Sequence, residues 1–289
     1  METCRLESPR SLRRLYAKAL VGPIIPGGGN GLPEQRLELA DVEIDRDHLA
    51  RYDRVCGFRI GDELPATYPH VLAFPLALEL MTEREFPFAL LGLVHVSNRI
   101  DQRRPLRADE RFSLAVWAES LRPHRRGRQL DLVAEVSAEG EPAWTGRSTY
   151  LRKGGGNDES AASSDERPGD EVDPDVDPAA TWKVPGDIGR RYAAVSGDRN
   201  PIHLHRLAAR AFGFPGAIAH GMWMKARCLA AFEGRLPGAC RVDAAFRRPL
   251  AVPGSARFAS RRDDERWSFV LATPGSGKPC VTGSVEPLR

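Results

Sequence analysis

Residues 218–236 read IAHGMWMKARCLAAFEGRL, and this stretch decides the fold. Its apolar side chains fall on nearly all sides of the predicted helix, as far as Phe232. A helix that is apolar all round is buried in a core. Four strand-like runs follow it, each bounded by Gly or Pro: ACRVDAAFRRPL, SARFASRR, RWSFVLATP and CVTGSVEPL.

The first half of the chain repeats this order. Residues 74–83, FPLALELMTE, predict a second buried helix. Four strand-like runs follow it as well: HVSNRIDQRRPL, RFSLAVWAES, RQLDLVAEVSA and PAWTGRSTYLR. A buried helix followed by several antiparallel strands, twice over, predicts a sheet wrapped around a central helix in each half. The predicted fold class is therefore α+β.

Two short sequence matches also relate the halves. The pattern Tyr-x-x-Val-x-Gly occurs at residues 52–57 and 192–197, an offset of 192 − 52 = 140. Arg-Arg-Pro-Leu occurs at residues 103–106 and 247–250, an offset of 247 − 103 = 144. Because both matches keep the same order at nearly equal offsets, a diverged tandem duplication explains them.

The segment between the halves has a different composition. Residues 154–180 read GGGNDESAASSDERPGDEVDPDVDPAA, which is dominated by Gly, Ser, Pro and acidic residues. Such a segment buries too little apolar surface to offset its ordering entropy. We predict a first domain over residues 1–153, an acidic disordered linker over 154–180 and a second domain over 181–289.

The bulk composition excludes some classes of protein. The 42 basic and 39 acidic residues leave a net charge of +3, which makes no general case for nucleic-acid binding. The five cysteines are scattered and lack Cys-x-x-Cys spacing, as expected in a reducing compartment. The N-terminus lacks a signal-peptide core, and the apolar residues 70–81 are too few to cross a bilayer. We expect a cytoplasmic protein without a membrane span.

The chemistry is concentrated in residues 196–203, SGDRNPIH. An Asn-Pro bend separates Asp198 from His203, so both side chains can turn toward one water molecule and handle its proton near neutral pH. Gly221 lies at the predicted start of the buried helix, where backbone N–H groups are free. Such donors suit the enolate-like oxygen of a thioester. Close packing is the alternative reason for a glycine there.

These residues carry a family resemblance. SGDRNPIH, with Tyr192 before it and Ala219-His220-Gly221-Met222 after it, resembles the signature of the (R)-specific enoyl-thioester hydratases. This is the MaoC-like, or hydratase-2, family of the hotdog fold. Further motifs resemble the two-hotdog 3-hydroxyacyl-thioester dehydratases: Thr67-Tyr68-Pro69, Phe86-Pro87-Phe88 and the Arg-Arg-Gly turn at 125–127. The resemblance omits the linker and about the first 30 residues.

The resemblance implies a double hotdog that catalyses syn addition of water to trans-2-enoyl thioesters, or the reverse reaction. The acyl chain is carried by coenzyme A or acyl carrier protein, and no metal or redox cofactor takes part. The implied catalytic residues are Asp198, His203 and Gly221. Which of Asp198 and His203 takes the proton from water stays open. The implied supporting residues are Ser196, Gly197, Asn200, Tyr192 and His220. Tyr192 is also explained by packing, and His220 by a structural hydrogen bond.

The first half has no counterpart of the Asp198–His203 pair. At the offset of 140, Asp198 corresponds to Phe58 and His203 to Glu63. We therefore expect one site per chain, with the first half contributing the tunnel for the acyl and pantetheine groups. Because the chain already holds two hotdogs, it is expected as a monomer or as a homodimer of double hotdogs.

A basic run surrounds Gly127 and includes Arg125 and Arg126. A solvated hairpin turn explains the run, and a binding site for the phosphates of the carrier is the functional alternative.

Two other functions compete with hydration. A hotdog thioesterase would direct water at the carbonyl carbon, and an acyl-binding accessory subunit would keep the fold without turnover. The intact dyad in the second half argues against the accessory subunit.

Overall fold

A computed structural model describes residues 1–21, 31–90, 92–154, 172, 179–275 and 277–288. The first half contains β1 (Glu2–Leu6), α1 (Leu12–Val21), β2 (Gln35–Val42), α2 (Arg46–Cys56), α3 (Tyr68–Met81), β3 (Leu93–Gln102), β4 (Phe112–His124), β5 (Gly127–Ala138) and β6 (Glu141–Lys153). The second half contains β7 (Ala179–Val184), α4 (Ile188–Ser196), α5 (Pro201–Leu204), α6 (Arg206–Ala211), α7 (Gly221–Ala230), β8 (Cys240–Phe246), β9 (Gly254–Asp263), β10 (Arg266–Ala272) and β11 (Pro279–Pro287).

The two buried helices and the eight strands that follow them are where the sequence predicts them. Helix α7 begins at Gly221, as expected, and α3 begins six residues before the predicted Phe74. The predicted Asn-Pro bend leads directly into a short helix, because Pro201 is the first residue of α5. A proline is accommodated at that position since its missing N–H has no partner within the helix.

All the described strands form one sheet, in the order β1-β2-β4-β5-β6-β3-β8-β11-β10-β9-β7. The halves join where β3 pairs antiparallel with β8, and Arg99 lies opposite Asp243 in that register. These two positions are separated by 243 − 99 = 144, the offset of the Arg-Arg-Pro-Leu repeat. Equivalent residues of two related units face each other only at a twofold axis. The pairing therefore supports the predicted duplication.

Each central helix packs against its own half of the sheet and also contacts the other half. Helix α3 contacts β4 and β5, and α7 contacts β10 and β11. Trp223 of α7 donates its indole N–H to the carbonyl of Val55 in α2 at 3.0 Å. Lys225 of α7 is fully buried, and its ammonium donates to Asn98 Oδ1 at 2.6 Å, Asn98 O at 3.0 Å and Val242 O at 3.1 Å. Lys225 thus ties α7 to β3 and β8 where the halves join.

Most of the predicted linker lies outside the described residues. The exceptions are Gly154, Val172, which is buried with Ala259, Val270 and Ala272, and the last two linker residues, which form the start of β7. Strand β7 thus begins inside the segment predicted as the linker.

The N-terminal segment adds two elements that the sequence did not predict. Strand β1 pairs in parallel with β2 at the edge of the sheet. Helix α1 lies against α3, where Leu15 is buried and Arg10, just before α1, contacts the Glu79 carboxylate at 3.0 Å.

Candidate active site

The loop after α4 holds Asp198 through backbone and side-chain bonds. Helix α4 ends because Gly197 adopts a left-handed conformation with φ 76°. The N–H of Asp198 donates to Ser196 Oγ at 3.2 Å, and the N–H of Asn200 donates to Asp198 Oδ1 at 3.1 Å. Ser196 and Asn200 thus each form a hydrogen bond with Asp198, Ser196 through its side chain and Asn200 through its backbone.

His203 lies in the short helix α5, which begins directly after this loop. The side-chain oxygen of Asn200 caps α5 by accepting from the N–H of Ile202 at 3.4 Å. His203 Nδ1 lies 2.8 Å from the carbonyl oxygen of Ile218. Because a carbonyl oxygen only accepts, Nδ1 carries the hydrogen and Nε2 of the neutral ring is left with a free lone pair.

His220 packs directly on His203. It is the residue before α7, its ring is 2% exposed, and its centroid lies 3.7 Å from that of His203. His220 Nε2 donates to the backbone carbonyl of Asp198 at 3.0 Å. The sequence left His220 undecided between a site residue and a structural hydrogen bond. The structure shows both features in one residue.

Gly221 follows His220 and begins α7. As the first helical residue, it has an N–H with no acceptor inside the helix. A Cβ atom at this position would lie 3.0 Å from Cδ1 of Phe246 and within 3.2 Å of two further ring atoms. The glycine therefore allows close packing against Phe246, and its N–H has no acceptor within the helix.

These groups, apart from Gly197, line one cavity of about 260 Å³, which both halves of the chain form. The second half contributes Asp198, His203, His220 and Gly221. Tyr192 lies on the same wall, with its ring centroid 4.9 Å from that of His220 and 6.3 Å from that of Tyr52. Tyr192 is thus both a packing residue and part of the cavity.

Comparisons with known proteins identify the family of the chain. Residues 165–258 match the family described as MaoC like domain. Over 280 residues the chain is 37% identical to 3-hydroxyacyl-thioester dehydratase X of Mycobacterium tuberculosis, with 96% of this chain and 98% of that protein covered. The chain belongs to the MaoC-like dehydratase family.

Solved structures of the family share the architecture. The crystal structure of HtdX from Mycobacterium tuberculosis matches with a TM-score of 0.76 at 36% identity, covering 88% of this chain and 100% of that one. Peroxisomal multifunctional enzyme type 2 of Drosophila melanogaster shares the fold with a TM-score of 0.66 at 18% identity, covering 87% of this chain and 48% of that one. The predicted α+β double hotdog is confirmed. No helix among the described residues is long and apolar enough to cross a membrane.

The electrostatics of this MaoC-like site favour an ionised carboxylate beside neutral imidazoles. Burial by itself would raise the pKa of Asp198, but His220, His203 and the Asn200 N–H outweigh it and hold that pKa below its ordinary value. Burial lowers the pKa of His203, and it lowers the pKa of His220 to about 3. Two stacked imidazoles also disfavour a positive charge on either ring.

The first half contributes polar groups to the cavity that the sequence analysis missed. They are His70 on α3, His95 on β3 and Tyr150 on β6. A register shift between His95 and Ser97 interrupts the β3–β6 pairing, and such bulges re-aim side chains. Burial lowers the pKa of His70 to about 4 and that of His95 to about 3. Four of the seven histidines thus line one cavity. Only the tertiary structure shows that convergence.

The basic side chains around the cavity partly match the sequence prediction. The hairpin between β4 and β5 is present, as the simpler interpretation of the basic run expects. Arg126 lines the cavity, whereas its neighbour Arg125 is not among the lining residues. The other basic lining residues are Lys153, Arg247 and Arg248. The last two belong to the Arg-Arg-Pro-Leu repeat, which the sequence analysis used only as a sign of duplication.

The side chains of this site include three that could bind a metal ion. Asp198, His203 and His220 each offer a donor atom, and these atoms lie within 4.8 Å of one another. However, His220 Nε2 and His203 Nδ1 already donate to backbone carbonyls. The absence of a metal or other cofactor from the reaction stays a prediction.

Proposed function

We propose that this chain is a 3-hydroxyacyl-thioester dehydratase that catalyses the reversible syn hydration of trans-2-enoyl thioesters to (R)-3-hydroxyacyl thioesters. The observation that carries the proposal is the meeting of Asp198, His203 and the start of α7 in one cavity. Chemistry of this kind needs a held water molecule, a proton acceptor and a donor to the thioester oxygen.

His203 is the residue proposed to move the proton. Its Nδ1 is committed to the Ile218 carbonyl, so Nε2 is the nitrogen that accepts a proton from water. As the water oxygen bonds to the β-carbon, the proton passes to Nε2, and Nε2 then returns it to the α-carbon on the same face. One OH and one H are added, and the syn stereochemistry follows from a single group that serves both steps. Asp198, held ionised, orients the water and stabilises the imidazolium.

The N–H of Gly221 is the proposed donor to the thioester oxygen. Negative charge develops on that oxygen when the α-carbon gains or loses its proton, and the positive end of the α7 dipole points at the same place. A side chain at this position would press against Phe246, which lines the same cavity.

Hydration and hydrolysis are distinguished by one assay with crotonyl-coenzyme A. Hydration removes the enoyl absorbance without releasing a thiol, whereas a thioesterase releases free thiol. We expect loss of enoyl absorbance only. Asp198→Asn and His203→Gln are each expected to lower kcat by 10²–10⁴-fold, the usual contribution of general acid–base groups. His205→Gln is the matched control, since His205 is exposed and does not line the cavity.

An inactive wild-type protein that binds crotonyl-coenzyme A tightly would instead support the accessory-subunit alternative. Free thiol as the main product would support the thioesterase.

The proposed carrier is coenzyme A or acyl carrier protein, and its phosphate groups are proposed to bind at the basic residues of the cavity. Among the described residues that line it, four are Arg or Lys and Asp198 is the single acid. Arg126→Glu is expected to raise KM for crotonyl-coenzyme A about tenfold, as one lost charge-assisted contact implies, and to leave kcat unchanged. The control is Arg125→Glu, which makes the same charge change next to the cavity. Equal effects of both variants would refute direct phosphate binding.

The setting of the protein is proposed on other grounds. All five cysteines are free, and four of them are buried, which suits the cytoplasm. A monomer or a homodimer of double hotdogs is proposed because the chain supplies both halves of the sheet. A role in fatty-acid or lipid metabolism follows from the substrate class.

A further inference from the structure

Helix α1 brings a side chain to the active site from outside both hotdog repeats. Leu12 of α1 lies against the catalytic loop, since a Cβ atom on Gly197 would be 2.7 Å from Leu12 Cδ1. One turn further along, Tyr16 accepts a hydrogen bond at its hydroxyl from the N–H of Arg199, at 2.8 Å. Arg199 is the residue directly after Asp198 in the sequence. The phenol is therefore bound to the loop that carries the proposed catalytic carboxylate.

A second cavity, of about 50 Å³, also connects Tyr16 with Asp198. Both residues line it, and five of its lining residues also line the larger cavity: Phe74, Leu93, Tyr150, Asp198 and Asn200. Asp198 thus lies between the two cavities, with Tyr16 on the wall of the smaller one. The side chain of Asp198 is 33% exposed, so it is accessible to a further partner.

The hydrogen bonds of Asp198 leave its carboxylate able to accept a further hydrogen bond. Its Oδ1 accepts from the Asn200 N–H at 3.1 Å. Its Oδ2 lies 3.8 Å from His220 Nε2, which is beyond hydrogen-bond distance. Because the Tyr16 hydroxyl already accepts from the N–H of Arg199, its own hydrogen remains to be donated, and Asp198 lines the same small cavity as Tyr16. Burial and the negative charge of Asp198 raise the pKa of Tyr16, so the phenol keeps this hydrogen.

We propose that Tyr16 is a positioning residue for the dehydratase, which orients the Asp198 carboxylate through its hydroxyl and fixes the catalytic loop through Arg199. The inference rests on the proposed function, since Asp198 is the group that it positions. It assigns the N-terminal segment a part in catalysis, although neither duplicated unit contains that segment. It also predicts that removal of α1 leaves the double hotdog with an impaired site.

The test is Tyr16→Phe, which keeps the ring and removes the hydroxyl. We expect kcat with crotonyl-coenzyme A to fall about tenfold and KM to change less than twofold, because the binding surface is retained. Without the phenol, the carboxylate attracts the His203 imidazolium more strongly, so the pKa of His203 moves up. That shift is read from the acid limb of kcat/KM and from NMR titration of the His203 ring in the free protein.

Tyr52→Phe is the matched control. Tyr52 is buried and donates to Thr67 Oγ1 at 2.8 Å, and it lines neither cavity. It is expected to lose stability without any shift in the titration of His203. If Tyr16→Phe leaves both kcat and that titration unchanged, the inference is wrong even though the wild type is active. If the wild type does not hydrate crotonyl-coenzyme A, the proposed function fails, and the NMR titration still decides whether Tyr16 acts on the dyad.

Discussion

Asp53 is a buried carboxylic acid on α2 whose ionisation opposes folding. It is 1% exposed, and neither carboxylate oxygen has a hydrogen-bond partner among the described residues. Burial, with the nearby negative charge of Glu233, raises the pKa of Asp53 from 3.8 to about 7. The folded protein therefore holds a proton on Asp53 over a pH range in which the unfolded chain has released it.

The sign and size of the effect follow by linkage. Between pH 4 and pH 7 the folded state binds more protons than the unfolded state, so stability falls as the pH rises through this window. The pKa difference of 7 − 3.8 = 3.2 corresponds to about 4 kcal/mol at 1.36 kcal/mol per pKa unit, fully lost above pH 7. The substitution Asp53→Asn removes the ionisation and is expected to recover about 2–4 kcal/mol at pH 8 but little at pH 4.

The assay is urea unfolding of the wild type and the variant at pH 4, 6 and 8, with the free energy of unfolding compared at each pH. Asp47→Asn is the control, because Asp47 lies on the same helix and is exposed. A gain that is equal at all three pH values, or a loss at pH 8, would refute the reasoning. The first result would mean that the carboxylate is destabilising for a reason other than its charge.

Three further predictions concern the site and the join between the halves. As the pH is lowered, the kcat/KM of the wild type is expected to decrease in one step with its midpoint below pH 6.5. The reason is that burial lowers the pKa of His203 and the neutral ring is the active form. A stopped assay at a series of pH values from 5 to 9 checks this. Lys225→Met is expected to lower the free energy of unfolding by about 3 kcal/mol, because it leaves three buried acceptors without a donor. Urea unfolding measures this, and Lys18→Met, at an exposed position, is the control. Dialysis against EDTA is expected to leave the hydration rate unchanged, and a loss of activity that zinc restores would mean that a metal ion is bound near Asp198.

The sequence predicted the elements that depend on local patterns. The all-round apolar character of residues 218–232 predicted a buried helix, and runs bounded by Gly and Pro predicted eight strands in the observed places. Asp198 and His203 were chosen as candidates because they lie close together within one dense motif, and Gly221 because it begins the predicted buried helix. Their local geometry follows from Gly197 and Pro201, whose backbone preferences act over one or two residues.

The sequence did not predict contacts between distant segments. Tyr16 reaches Arg199 across 183 positions, and His95 and Tyr150 lie on strands whose alternation looks like that of any half-buried sheet. Arg126 lines the cavity and Arg125 does not, and this difference depends on the direction in which the β4–β5 hairpin turns. Nothing in the spacing of these residues differs from that of surface residues, so only packing could identify them.

Local sequence and tertiary packing thus determine different features of this protein. The sequence alone indicated the helix and strand order and the Asp-His loop, because each of these follows from residues that are neighbours along the backbone. It also indicated the duplication, because two short motifs recur in the same order. The folded molecule alone decided which groups surround that loop, because burial and hydrogen bonding depend on how β3, β6, α1 and α7 meet in space.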